Sequence, residues 1–226
     1  MVFGTTEDAL AAARGLYRRH AAIRGVLTEN VGRFPAGSPY CANDVAALRW
    51  VFATLVDSAI VAFELVNPPL SVAERERYYA EMRRFAVFFG IPQGALPPSW
   101  ASFAEYFDEI IGSDALVVSG AARAIAAELI AGAGTWLRSP SWYRAVTASL
   151  LPDRLRAEFG LRYGTAERRA ARRALMVLRF LYPRIPARLR YVAPYQEACA
   201  RLAGERPAIS TKLLNRLWIG RDSMPG

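Results

Sequence analysis

Residues 45–66, VAALRWVFATLVDSAIVAFELV, are the strongest constraint on this chain. The stretch is long enough to span a bilayer, yet it carries Arg49, Asp57 and Glu64, each costly in lipid. It is too apolar all round for an ordinary surface helix, so it reads as a helix from about Asp44 to Val66 at the centre of a folded domain. Asn67, Pro68 and Pro69 close it, because proline cannot continue a helix.

Helix signals surround this element almost without strand signals between them. TTED opens a helix near residue 5, and Leu10, Ala13, Tyr17, His20, Arg24 and Leu27 recur at helical spacing to about residue 27. Ser71 and Glu74 form a capping box, and Gly90 and Pro92 end that helix. SFAE, with Ser102 and Glu105, repeats the capping signal, and that helix runs to about Ile111. Ser119 caps a helix to about Ala131, and Ser139-Pro140 caps another to about Leu150. Thr165 opens AERRAARRALMVLRFLY, where Ala171, Leu175, Leu178 and Leu181 or Tyr182 make an apolar stripe opposite a dense arginine face. PYQEACARLAG is a last short helix.

The expectation is an all-α, single-domain fold of roughly eight helices over residues 1–203, with a C-terminal tail at 204–226. At 226 residues with 53% hydrophobic and 22% charged side chains, the chain can bury a core without staples. Cys41 and Cys199 stand far apart with no zinc or redox spacing, and the N-terminus has no signal-peptide pattern. A cytoplasmic location follows as the expectation.

The net charge of +9 is unevenly placed. Residues 1–137 hold 11 Arg against 14 Asp and Glu, and residues 138–226 hold 18 Lys and Arg against 6. This basic half reads either as a solvated face or as a surface that attracts anionic lipid, which would make the protein membrane-peripheral. The use of 28 Arg and one Lys is also what a GC-rich genome produces without functional demand. No helix-turn-helix or zinc module can be placed, so nucleic acid is not an expected partner. Nor is there a phosphate loop, a Walker lysine or a nucleophile elbow, and a hydrolytic triad could draw on no histidine other than His20.

His20 is the sole histidine. On residues alone, an imidazole on an apolar helix face is either a packed core side chain or a ligand. Trp50, Thr54 and Asp57, with Glu64 beyond them, lie near one face of the central helix. They would line a pocket, or the carboxylates would pair with arginines such as Arg49 or those of the C-terminal helices. Tyr78, Tyr79, Phe85, Phe88 and Phe89 read as core packing.

Taken in order, RHAAIRG, LRWVFATLVDS, LSVAERERYYAEMRRFAVFFGIP, LPPSWASFAEYF, LLPDRLRAEFGL and RIPARLRYV resemble the oxygenase family of bacterial rubber oxygenase (latex-clearing protein) and the fungal MpaB oxygenase of mycophenolic acid biosynthesis. The resemblance runs from residue 2 to about 199 and implies a globin-like domain that holds haem b and activates dioxygen. It also implies a small apolar, unsaturated substrate. The family's H-x-x-[VI]-R segment carries the axial iron ligand and matches His20, Ile23 and Arg24. His20 is therefore the expected metal ligand. Arg24, Trp50, Thr54 and Asp57 are the further cofactor-binding candidates, Arg24 as a propionate partner or simply as a capping or surface arginine.

Two departures accompany the resemblance. Many bacterial members carry histidine where this chain has Phe52, although rubber oxygenase does not. The family's domain also normally begins further upstream, so the expectation is an N-terminally incomplete catalytic domain. The alternative reading is a degenerate, non-catalytic helical domain that docks on an anionic membrane or an acidic partner through its basic half.

Overall fold

The computed structural model describes residues 2–132 and 139–223. Eleven α-helices and one two-stranded ribbon lie among them, so the fold is all-α, with more helices than the sequence suggests. In order these are α1 (Thr6–Ala22), β1 (Arg24–Val26), β2 (Pro39–Cys41), α2 (Val45–Glu64), α3 (Val72–Phe85), α4 (Trp100–Gly112), α5 (Gly120–Ala131), α6 (Ser141–Leu150), α7 (Asp153–Glu158), α8 (Thr165–Leu181), α9 (Ala187–Arg190), α10 (Ala193–Leu202) and α11 (Ile209–Ile219).

The caps explain most boundaries. Thr5 and Asp8 satisfy each other's backbone amides at the start of α1, as Ser71 and Glu74 do for α3. For α4 the box sits three residues earlier than SFAE suggests: Ser99 is the N-cap and Ser102 its partner. Residue 102 is therefore inside the first turn. Pro140 itself is the N-cap of α6, so the helix begins at Ser141.

The first helix is shorter than its periodicity suggests. It ends at Ala22, and Ile23 is already extended (φ −93°, ψ 99°). Arg24, Gly25 and Val26 instead pair with Cys41, Tyr40 and Pro39. The ribbon extends on both sides through Ala42 N–H to Ile23 O (3.0 Å) and Leu27 N–H to Ser38 O (2.9 Å). Cross-strand bonds outcompete helix continuation where β-branched Ile23 and Val26 flank Gly25. Arg24 and Leu27 consequently leave the helical face that carries His20.

The larger core forms where α2, α3 and α4 meet. Phe52, Val56, Tyr79, Ile91 and Phe103 are essentially inaccessible, and Trp50, Tyr78, Phe85, Phe89, Trp100 and Phe107 close around them. Phe103 lies 4.7 Å from Tyr79 and 5.2 Å from Trp100, ring centre to ring centre. Tyr79 donates its hydroxyl to Pro97 O (2.9 Å), and burial pushes its phenol up to about 12.

The central helix is not buried all round. Leu48, Phe52, Ala53, Val56 and Ile60 form its covered face, while Val51, Leu55 and Phe63 are 43–56% exposed. Only one side of α2 is packed by α3, α4 and the loop that follows α3. The apolar length read from sequence therefore produces a half-covered helix.

A second, smaller core joins α6 to α8 through Ala145, Val146 and Ala171, with Tyr163, Ala174 and Leu175 beside them. Arginines of α7 and α8 stitch this half to the rest. Arg154 donates to Leu116 O (2.8 Å), Ile111 O (2.5 Å) and Ser113 O (3.3 Å). Arg179 Nε donates to Leu65 O at the end of α2 (2.9 Å). Residues 209–219 form α11, which docks on α10 through buried Asn215, whose Nδ2 donates to Glu197 Oε2 (2.6 Å).

Candidate functional site

His20 lies in the last turn of α1 and is half-buried. Its backbone carbonyl accepts from Ile23 N–H (3.0 Å), and no described residue hydrogen-bonds its imidazole. Side chains on a helix lean back over the preceding turn, so the ring is directed over the turn that carries Tyr17. That turn borders a hollow of about 330 Å3 between α1 and residues 87–90, lined by Ala13, Tyr17, Val87 and Phe88 with Arg14 and Arg18 beside them. His20 is not among the residues lining this hollow.

Arg24 stands apart from the imidazole's helix face. It is exposed, and its Nε and Nη2 both donate to Ala21 O (3.2 and 2.9 Å), capping the end of its own helix. Positive charge at a helix C-terminus is favourable, so the position is well satisfied without any ligand.

Trp50, Thr54 and Asp57 share one face of α2, as their spacing predicts, and that face meets α4. Trp50 stacks on Phe107 with ring centres 5.3 Å apart. Thr54 turns its hydroxyl back to Val51 O (2.7 Å). Burial raises the Asp57 carboxyl above its ordinary range, the Asp108 carboxylate raises it further, and Arg75 opposes both. No bond, ion pair or ring contact among the described residues joins these three to His20 or Arg24.

The ion pairs on α2 differ in detail from those the sequence suggests. Glu64 pairs with Arg75 of α3 (2.8 Å) and accepts from Leu70 N–H (2.9 Å). Arg49 instead donates to Ala95 O (3.2 Å) and lies 4.5 Å from the centre of the Tyr106 ring. Neither partner lies on the C-terminal helices. Arg75 came within reach because the Asn67-Pro68-Pro69 break folds α3 back along the end of α2.

Among the described residues no three His, Cys, Asp or Glu side chains gather as a metal-binding group. The donor set does fit a single axial bond. A half-buried imidazole that hydrogen-bonds no described residue leaves a ring nitrogen that could bind iron.

An all-α domain with one such imidazole at the end of its first helix is the setting in which the comparisons fall. The family model described as ER-bound oxygenase mpaB/B'/rubber oxygenase, catalytic domain, matches residues 1–180. The chain belongs to this oxygenase family. An uncharacterised protein of Mycobacterium tuberculosis and one of Mycobacterium bovis are each 29% identical to it over 197 residues, covering 81% of this chain and 75% of theirs. No solved structure matches it significantly.

Proposed function

We propose that this oxygenase-family domain holds haem b through His20 and uses dioxygen on an apolar, unsaturated substrate. The observation that carries the reading is the single imidazole. The facial triad of non-haem iron oxygenases draws on two histidines and a carboxylate, and this chain has one histidine. A haem would bring most of its iron's donors with it and would need of this chain only the His20 imidazole. Family membership supports the oxygenase class, and a ring that hydrogen-bonds no described residue supports His20 in that role.

Bound haem would supply the iron at which dioxygen is activated. The protein's own part is to present a neutral imidazole from a rigid helix. The capping box of Thr5 and Asp8 and the bond from Ile23 N–H to His20 O fix both ends of that helix. Arg24 anchors the same terminus from outside. Trp50 holds α2 against α4 by stacking on Phe107, and the iron assignment rests on His20 alone.

Purified protein titrated with haem is expected to develop a Soret band, and His20→Ala is expected to lose it while retaining the helical circular-dichroism spectrum. An unchanged band in His20→Ala would reject the ligand. No uptake by the wild type would favour the non-catalytic reading.

A further inference from the structure

We infer that the outward face of α8 is a docking surface for an anionic bilayer. Arg169, Arg173, Met176, Val177 and Phe180 fall at i, i+4, i+7, i+8 and i+11, a single helical face. It lies opposite Ala171 and Leu175, which pack on α6. Met176, Val177 and Phe180 are 54–61% exposed, an unusual concentration of large apolar side chains on the charged side of an amphipathic helix. The face thus runs from basic at the N-terminal half of α8 to apolar at its C-terminal half.

Charge identifies the partner. Residues 165–190 contain eight arginines and a single carboxylate, Glu167. That carboxylate is engaged in accepting from Gly164 N–H at the helix start (2.8 Å). None of the eight arginines forms an ion pair with a described residue, although Arg75, Arg154, Arg156 and Arg216 elsewhere all do. A dense, uncompensated guanidinium field beside exposed Met and Phe matches lipid phosphates above hydrocarbon, since arginine stems lie along apolar surface while their heads reach the phosphates.

The relief around the ridge fits the same partner. On one flank Arg168, Arg172 and Arg179 stand around a hollow of about 540 Å3 floored by Ala171, Leu175 and Met176. On the other, Trp142, Ala174 and Val177 border a second of about 510 Å3. Each combines an apolar floor with arginine at its edge, as an acidic lipid requires. This surface is separate from His20, so it stands or falls apart from haem binding.

Flotation of the full chain with phosphatidylglycerol/phosphatidylcholine vesicles, and with phosphatidylcholine alone, tests the inference. Wild type is expected on the anionic vesicles about tenfold more strongly than on neutral ones, with release at high salt. Arg169→Gln with Arg173→Gln should lower binding about tenfold, whereas the charge-matched pair Arg77→Gln with Arg84→Gln on α3 should change it less than about twofold. Met176→Ser with Phe180→Ser should lower it even where the arginines remain. Arg77, Arg84, Arg169, Arg173 and Met176 are exposed and Phe180 stacks under Arg184, so the two arginine pairs decide the matter if the apolar pair misfolds. Absence of flotation at low salt would overturn the inference, as would equal losses in both arginine pairs. So would self-association abolished by Phe180→Ser in a protein that ignores vesicles, which would show that a second copy covers this face.

Discussion

The two cores of this protein are built on opposite principles. Between α2, α3 and α4 large rings point inward: Phe52, Tyr79 and Phe103 are at most 2% exposed, and Trp100 and Phe107 close over them. Between α6 and α8 small residues do the packing, with Ala145 and Ala171 at most 2% exposed, while Trp142, Tyr143, Met176 and Phe180 face outward. One half gains stability by filling volume, the other by letting two backbones approach. The difference teaches where each half is open to work. The aromatic half turns most of its rings inward, whereas the alanine-joined half keeps Trp142, Tyr143 and Phe180 on its surface.

This contrast can be broken most severely at Phe103. Phe103→Ala removes a ring that touches both Tyr79 and Trp100 and is expected to cost about 3–5 kcal/mol in denaturant unfolding, because the rigid aromatic surround cannot collapse into the space. The reverse change probes the other core. Ala171→Leu inserts volume where α8 lies against α6 and should cost about 1–3 kcal/mol, with the helices pushed apart. A loss at Phe103 below that at Ala171 would contradict the contrast.

Asp57 sharpens it at the smallest scale. Burial and then Asp108 raise its folded-state carboxyl above the unfolded value. Its contribution is therefore fully present below the unfolded pKa and is lost as pH rises through the raised folded one. At neutral pH the ionised side chain disfavours folding. Asp57→Asn should raise the thermal midpoint at neutral pH and flatten the decline in stability on the acid side of neutrality. A midpoint that falls at pH 7 would show that Arg75 outweighs burial.

Much of this was legible in the residues, and the exceptions have physical causes. The cap in TTED and the capping box at Ser71 marked helix starts because their chemistry is local. SFAE misled because Ser99, three residues earlier, offered the same hydroxyl after Pro97 and Pro98. The ribbon at Arg24–Val26 was hidden because its partner, Pro39–Cys41, lies beyond a loop, and strand pairing is a non-local choice. The α2 stripe was visible, but which face stays open depends on where α3 and α4 return. At the candidate site, the uniqueness of His20 was plain in the sequence. The role of Arg24 as a cap for its own helix was not, since it depends on the helix stopping at Ala22.

The most direct test of the account replaces the imidazole and then gives it back. His20→Gly should bind haem weakly and without the wild-type spectrum, and added imidazole should restore the wild-type Soret and visible bands, because the proposed role asks of the side chain only a nitrogen donor. Wild-type spectra in His20→Gly without imidazole would contradict the account and place the iron on another residue.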